Sequence, residues 1–479
     1  PGNYNLSHDK EEGELSLLYR KQKTFGVGHS CAVKWNISKN LISSLSTEFL
    51  PSTNVKPVTT KLSGDIDDTV LGLQFLSSKD LTADKLKVFL NNFLNDYENW
   101  SEEQKEKEIP NSLENARNRI LSRIDETIIR MQKGIDTIVL NEQVLKSFKL
   151  ANTAMLMQMV HGKDYSDIKT KDEEEFVKPD YYGKKYQSFA WRPFQLAFAL
   201  LTIESVVNKE SKDRDVVDLI WFPTGGGKTE AYLLVSAFEL FFRRIKYGEK
   251  GAGTSIIKRY TLRLLTSQQF QRASTLICAC EIIRKQNIDI LGKQKYSIGL
   301  WVGGDSSPNN FSNERGTGAF ELYNKMLEDT EPENKFQVQK CPWCGTRIVP
   351  KIQEMNSKFY GINTTETSFS FNCPTTSCEF HNHLPMSVVD EDLYMNPPSF
   401  LIGTVDKFAR LAWDQRSSVF FGVGQETLPP SLIIQDELHL ISGPLGTIAG
   451  VYEAAIDTVL KSLDAKPKII AATATIRRA

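Results

Sequence analysis

The stretch Val216-Val217-Asp218-Leu219-Ile220-Trp221-Phe222-Pro223-Thr224-Gly225-Gly226-Gly227-Lys228-Thr229 decides the fold. Its first half reads as a buried strand and its end runs into a helix, expected over 230–245. Three consecutive glycines let the backbone turn sharply and aim N–H groups at phosphate oxygens. The helix N-terminus that follows adds its positive dipole end. The order strand, loop, helix predicts that Thr224, Gly225, Gly226 and Gly227 cradle the phosphates of ATP. Lys228 is expected to reach the β- and γ-phosphates, and the Thr229 hydroxyl to hold Mg²⁺. One departure is visible: the generic pattern has a glycine where Phe222 stands.

A phosphate loop needs a carboxylate at another strand end to hold the metal. Leu432-Ile433-Ile434 is a short apolar run that ends in Gln435-Asp436-Glu437-Leu438-His439. Asp436 is expected to share Mg²⁺ with Thr229, and Glu437 to polarise the attacking water. His439 is expected to couple the nucleotide site to neighbouring elements. Around these segments strand and helix patterns alternate, the signature of an α/β lobe with a parallel sheet. Further strands are expected at 216–222, 296–302, 400–403, 431–435 and 468–472. Helices are expected at 194–207, 268–286 and 445–463.

Lys228 and Asp436 are 208 positions apart, long for one lobe. Residues 303–398 are rich in Asn, Thr, Pro, Glu and Cys and read as an inserted module. Removing them leaves a spacing of 112, which suits an uninterrupted lobe. The insertion carries Cys341-Pro342-Trp343-Cys344-Gly345 and, after 28 residues, Cys373 and Cys378. A Cys-x2-Cys knuckle followed by a second pair matches a zinc ribbon, a closed structural site of four thiolates. His381 and His383 lie nearby and are read as surface residues. Cys278 and Cys280 fall in a helix and read as core. His29 and Cys31 read as turn or core packing rather than as a metal pair.

The first 80 residues mix short apolar runs with Gly, Pro, Ser and Asn and read as a β-rich region of strands and turns, Thr69–Phe75 among them. Residues 81–186 form a helical region and linker. Leu113, Ala116, Ile120, Ile124, Ile128 and Met131 recur at helical spacing, and a second helix spans 141–161. The lobe itself is expected over 187–479, with its insertion at 303–398. The 479 residues carry 58 basic and 59 acidic side chains, and 40% are hydrophobic. This excludes disorder and a histone-like polycation, but not a local cationic groove for DNA. Seven cysteines are too few and too uneven for a disulfide framework, so a cytoplasmic protein is expected. No apolar run approaches the ~18 residues of a membrane-spanning helix, so no membrane partner is expected.

Other segments fall in the order of a superfamily-2 helicase. Arg192-Pro193-Phe194-Gln195 resembles the adenine-reading Q motif. Thr261-Leu262-Arg263-Leu264-Leu265-Thr266, with Gln268, Gln269 and Arg272, resembles motif Ia, and Gly403-Thr404-Val405-Asp406-Lys407 resembles motif Ib. Ala472-Thr473-Ala474-Thr475 resembles motif III, which links hydrolysis to movement. Arg192 and Gln195 are therefore expected at the base. Arg263, Thr266, Gln269, Arg272, Thr404 and Lys407 are expected along a nucleic-acid backbone. Thr473 and Thr475 are expected beside the catalytic centre. Extended, these segments resemble one family. Arg259–Thr266, Gly403–Ala409, Gln435–Gly446 and, more weakly, Tyr19–Cys31 are similar to the DrmA helicase subunits of DISARM anti-phage systems. That resemblance implies a RecA-like first motor lobe and an ATP-using DNA helicase or translocase of a bacterial restriction-type defence complex. It also implies a DrmB-like partner subunit and a DNA methyltransferase in the same system.

Two other readings stay open. One is a nucleotide-switched scaffold that grips DNA or a partner without separating strands. The other is a signalling or chaperone-type P-loop ATPase, which the Gln195, Ia and Ib segments weigh against. Because the chain begins at Pro1 and stops just after Thr475, it is expected to be part of something longer and to lack the second motor lobe. Alone, it is expected to bind nucleotide but hydrolyse it poorly.

Overall fold

The computed structural model describes residues 10–21, 25–26, 31–38, 41–49, 68–169, 175–223, 225–260, 266–304, 306–441 and 443–474. The chain divides into two compact units. One comprises Pro1–Ile66 with Asn92–Arg130, the other Asp67–Asn91 with Met131–Ala479.

In the first unit, strands Ala32–Ser38 (β1) and Leu41–Glu48 (β2) form an antiparallel hairpin whose register shifts between Asn36 and Ile37. Helix Lys10–Leu18 (α1) buries Leu17 against Leu113 and Ala116. Glu14 on the same helix is paired with Arg119 at 3.1 Å and with Arg123.

In the second unit, Thr69–Phe75 is not a strand. The chain makes a 3₁₀ turn over Asp68–Leu71 and a short helix, Leu73–Leu76 (α2). Leu71, Leu73 and Leu76 are all buried, which suits a turn packed on helices better than a half-exposed strand. The boundary between the units falls within two long helices, Ala83–Lys105 (α3) and Glu114–Leu140 (α4). Helix Glu142–Asp164 (α5) starts where the Asn141 side chain accepts from the N–H groups of Gln143 and Val144. Phe148, Ala151, Met155, Leu156 and Val160 are all buried on it, so it lies inside the unit rather than on its surface.

A seven-stranded, wholly parallel sheet organises this unit. Its strands are Asp218–Trp221 (β3), Ile256–Tyr260 (β4), Ile298–Trp301 (β5), Met386–Ser387 (β8), Phe400–Thr404 (β9), Leu432–Gln435 (β10) and Lys468–Thr473 (β11). Their order is β3-β11-β10-β4-β9-β5-β8. Burial on both faces explains why most of them read as continuous apolar runs. Strand β4 carries Lys258 and Arg259 inside the sheet. Each is neutralised there, Lys258 by Asp436 at 3.4 Å and Arg259 by Glu453 at 3.2 Å.

The crossovers are helical. Helix Pro193–Val207 (α6) precedes β3, and Lys228–Tyr247 (α7) links β3 to β4. Thr266–Gln286 (α8) and Ile288–Leu291 (α9) lead to β5. Between β5 and β9 come Ala319–Glu328 (α10), the hairpin Ile362–Thr365 (β6) and Ser368–Phe371 (β7), then β8 and Asp390–Met395 (α11). Val405–Phe408 (α12) follows β9, and Gly443–Ser462 (α13) links β10 to β11. Ile456 and Leu460 of α13 join Ile257, Trp301, Leu401, Phe420 and Ile433 in one core cluster. At the opposite end of the sheet, Lys468 is paired with Asp218 at 2.9 Å and donates to the carbonyls of Asp213 and Val216. Among the described residues no helix is long and apolar enough to cross a membrane.

Candidate functional site

The loop after β3 takes the conformation its glycines permit. Gly225 and Gly227 have φ of +77° and +89°, a region that side chains with a Cβ avoid. A Cβ on Gly226 would collide with the Phe222 ring, and one on Gly227 with Gln195 Nε2. Phe222, in the place of the usual glycine, stacks on Phe194 with ring centroids 4.2 Å apart and so closes the loop from the side. Arg192 donates to the Gly226 carbonyl, and Gln195 Nε2 donates to the Gly227 carbonyl at 2.8 Å. Gln195 Oε1 accepts from the Arg192 N–H, also at 2.8 Å. Both ends of the Gln195 amide are thus spent on backbone that shapes the loop. Lys228 folds back, its Nζ donating to the Phe222 carbonyl at 2.8 Å. Thr224 lies outside the described residues.

The acidic motif leaves β10 two strands away from β3, with β11 between them. Asp436 is buried. Its Oδ1 accepts from the Glu437 N–H at 2.9 Å, and its Oδ2 accepts from the Tyr232 hydroxyl at 2.6 Å. Lys258 Nζ lies 3.4 Å from Oδ2 and donates to the Tyr232 hydroxyl and to Gln269 Oε1, the latter at 2.7 Å. Burial pulls the Lys258 ammonium down to about 8, and the Asp436 carboxylate opposes that shift. Glu437 sits at φ +49°, ψ +46°, a left-handed conformation that costs a non-glycine residue of the order of 1 kcal/mol and clusters at functional sites. Its carboxylate lies 3.4 Å from His439 Nδ1, which is also 3.0 Å from Thr473 Oγ1. Tyr232 and Lys258 were not expected from the sequence. Tyr232 stands four residues after Lys228 on α7, a spacing that places it one turn further along.

One cleft, with a cavity of about 1000 Å³, gathers these groups. Gly225, Gly227, Lys228, Thr229, Asp436 and Glu437 line it, together with Arg192 and Gln195. Ligand sites in parallel sheets lie at this position, outside the carboxyl ends of the strands. The expected nucleic-acid residues are placed differently. Lys407 is only 2% exposed, is paired with Asp390 at 2.5 Å and donates to the Val302 carbonyl. Thr404 is buried as well. Gln269 faces the Asp436 cluster, and Arg272 is paired with Glu230 at 3.2 Å at the cleft. For Thr404 and Lys407 the reason is that a motif fixes residue types near a strand end, not the side to which each side chain turns. Arg263, Thr475 and the Thr266 side chain lie outside the described residues.

Cys341, Cys344, Cys373 and Cys378 are all buried, with their sulfur atoms within 4.8 Å of one another. Four thiolates at ~2.3 Å from a tetrahedral Zn²⁺ would lie about 3.8 Å apart, so the donor set fits that ion. Gly345, at φ +80°, lets the knuckle turn, and its N–H donates to the Cys341 carbonyl. His381 Nδ1 lies 2.8 Å from the Cys373 carbonyl, which occupies it outside the sulfur cluster. Cys278 and Cys280 are fully buried in α8. The knuckle is docked on two helices. Trp343 stacks on His161 of α5 with centroids 3.5 Å apart, and Thr275 of α8 donates to the Pro342 carbonyl at 3.0 Å. His161 Nδ1 lies 2.6 Å from the Trp343 carbonyl and Nε2 lies 2.8 Å from the Tyr181 hydroxyl. Burial pulls its imidazole down to about 4, so it is neutral at pH 7. Pro342 and Lys340 of the knuckle also line the cleft that holds Lys228 and Asp436.

No protein-family profile matches the chain. It is 36% identical to the DISARM protein DrmA of Bacillus paralicheniformis over 522 aligned positions, which take in 98% of this chain. The chain spans 45% of the length of that relative.

Proposed function

Since this chain is DrmA-like over nearly all of its own length, we propose that it is the nucleotide-binding first motor lobe of an ATP-driven DNA helicase or translocase subunit in anti-phage defence of the DISARM type. One observation carries the reading: a glycine loop and a carboxylate pair more than 200 residues apart in sequence line a single cleft. Strand β11 between β3 and β10 separates the two edges of that cleft by about 9–10 Å, room for a triphosphate.

In this reading the loop N–H groups of Gly225 to Lys228 hold the phosphate oxygens. Lys228 leaves the Phe222 carbonyl for the β- and γ-phosphates. Thr229 and Asp436 are the residues that would hold Mg²⁺, which supplies charge neutralisation at the phosphates when bound. The donor set fits, because a threonine hydroxyl and a carboxylate on the wall of one cleft are the oxygen ligands that this ion takes beside phosphates. Glu437 orients the attacking water and accepts its proton. His439 and Thr473 pass the state of Glu437 to the end of β11. The RecA-like character of the lobe, the zinc ribbon around Cys341, Cys344, Cys373 and Cys378, and the DNA, DrmB-like and methyltransferase partners belong to the same proposal.

The inward turn of Gln269, Thr404 and Lys407 favours a second reading, a nucleotide-switched scaffold without strand separation. Steady-state ATPase assays of the full-length protein, with and without duplex or single-stranded DNA, separate the two. DNA-stimulated turnover that Lys228→Ala and Glu437→Gln both abolish supports the motor. Nucleotide-dependent DNA binding without turnover supports the scaffold, and wild-type turnover in either variant refutes the site.

A further inference from the structure

Asp436 is held from inside the fold. Its Oδ2 takes the Tyr232 hydroxyl and faces the Lys258 ammonium at 3.4 Å, in a place where Lys258 has no exposure to solvent. A carboxylate with an internal cation beside it is already neutralised, and a second cation must work against the first. Lys258 also has a second partner that stays in place if Asp436 is taken. Its Nζ donates to Gln269 Oε1 at 2.7 Å, and Gln269 lies in the first turn of α8, the helix that follows β4 in the chain.

We propose that Lys258 is a positioning residue that serves as the resident counter-cation of Asp436 and yields it to Mg²⁺-nucleotide while it stays held by Gln269. The proposal rests on reading the cleft as a Mg²⁺-nucleotide site. Its consequence is a mechanical link. The metal state of Asp436 is carried by one side chain from β10 through β4 to the start of α8. Neither Lys258 nor Gln269 touches the nucleotide in this account; both act through Asp436.

The test is a Mg²⁺ titration of a fluorescent ATP analogue bound to the whole chain, reading the Mg²⁺ half-saturation by fluorescence and not by turnover. Lys258→Met removes the competing charge and lowers the half-saturation roughly tenfold. Gln269→Leu removes the residue that holds Lys258 once Asp436 is taken, and raises it by about threefold. A merely structural role would move both variants the same way, toward weaker binding. Shifts in the same direction, or no shift, overturn the proposal. If Lys258→Met does not fold, Gln269→Leu decides alone: a raised half-saturation supports the proposal, an unchanged or lowered one overturns it. If wild-type nucleotide binding shows no dependence on Mg²⁺, it is the underlying site reading that fails, whatever the variants do.

Discussion

His439 Nδ1 lies 3.0 Å from Thr473 Oγ1, which ties the loop after β10 to the last residue of β11. The Thr473 carbonyl in turn accepts from the Phe222 N–H at 3.2 Å, so the acidic motif and the glycine loop are joined through β11. Thr473→Val keeps the β-branched shape and removes the hydroxyl. Nucleotide affinity should change by less than about twofold, while DNA-stimulated turnover of the full-length protein falls by about tenfold or more. Equilibrium binding and steady-state rates on the same preparation check this. A fall in affinity that matches the fall in rate would mean that Thr473 serves binding only.

Glu437 and Lys228 should separate in the opposite sense. Glu437→Gln keeps the shape and the left-handed turn but loses the base. Nucleotide should still bind, with turnover reduced roughly 10²–10⁴-fold. Lys228→Ala should lose binding itself, because the group that leaves the Phe222 carbonyl for the phosphates is gone. Single-turnover and binding measurements distinguish the two losses.

Zinc should be structural. Chelation, or Cys344→Ser, should release the bound metal, lower the melting temperature and expose Trp343 to solvent, as read by metal analysis, calorimetry and tryptophan fluorescence. Because Pro342 and Lys340 line the cleft, the same treatment should also weaken nucleotide binding. Retained stability with no metal in the native protein would show that the four thiols pack without it.

His161 provides a pH signature. Its folded value of about 4 lies below its ordinary 6.5, so the unfolded chain binds the proton more tightly. Stability is therefore complete above pH 6.5 and is lost as pH falls toward 4, by up to about 3 kcal/mol from this group. His161→Gln should flatten that part of the pH–stability curve relative to wild type. Denaturant unfolding at a series of pH values reads the difference, and the difference removes acid effects on the thiolates that are common to both proteins.

Much of the sheet was legible because strands buried on both faces leave continuous apolar runs, as at Leu432–Gln435 and Phe400–Thr404. The turn of the glycine loop after β3 was legible because the conformations at Gly225 and Gly227 favour glycine. Strand β4 was not legible. Lys258 and Arg259 break its apolar pattern, and their partners Asp436 and Glu453 are about 180 to 195 residues away in sequence. The helical pattern of α5 was readable, but not that it would carry His161 under the zinc knuckle, because that contact pairs residues 182 positions apart. The direction of Lys407 was not legible either: it has the expected type at the expected strand end, yet it turns inward onto the buried Asp390.

The central claim is that Gly225–Thr229 and Asp436–Glu437 form one Mg²⁺-nucleotide site. Calorimetric titration of the chain with a non-hydrolysable ATP analogue and Mg²⁺ tests it most directly. The account expects saturable, Mg²⁺-dependent binding at one site in the wild type, lost in Lys228→Ala and weakened in Asp436→Asn. Equal binding by all three proteins, or none by the wild type, would contradict it.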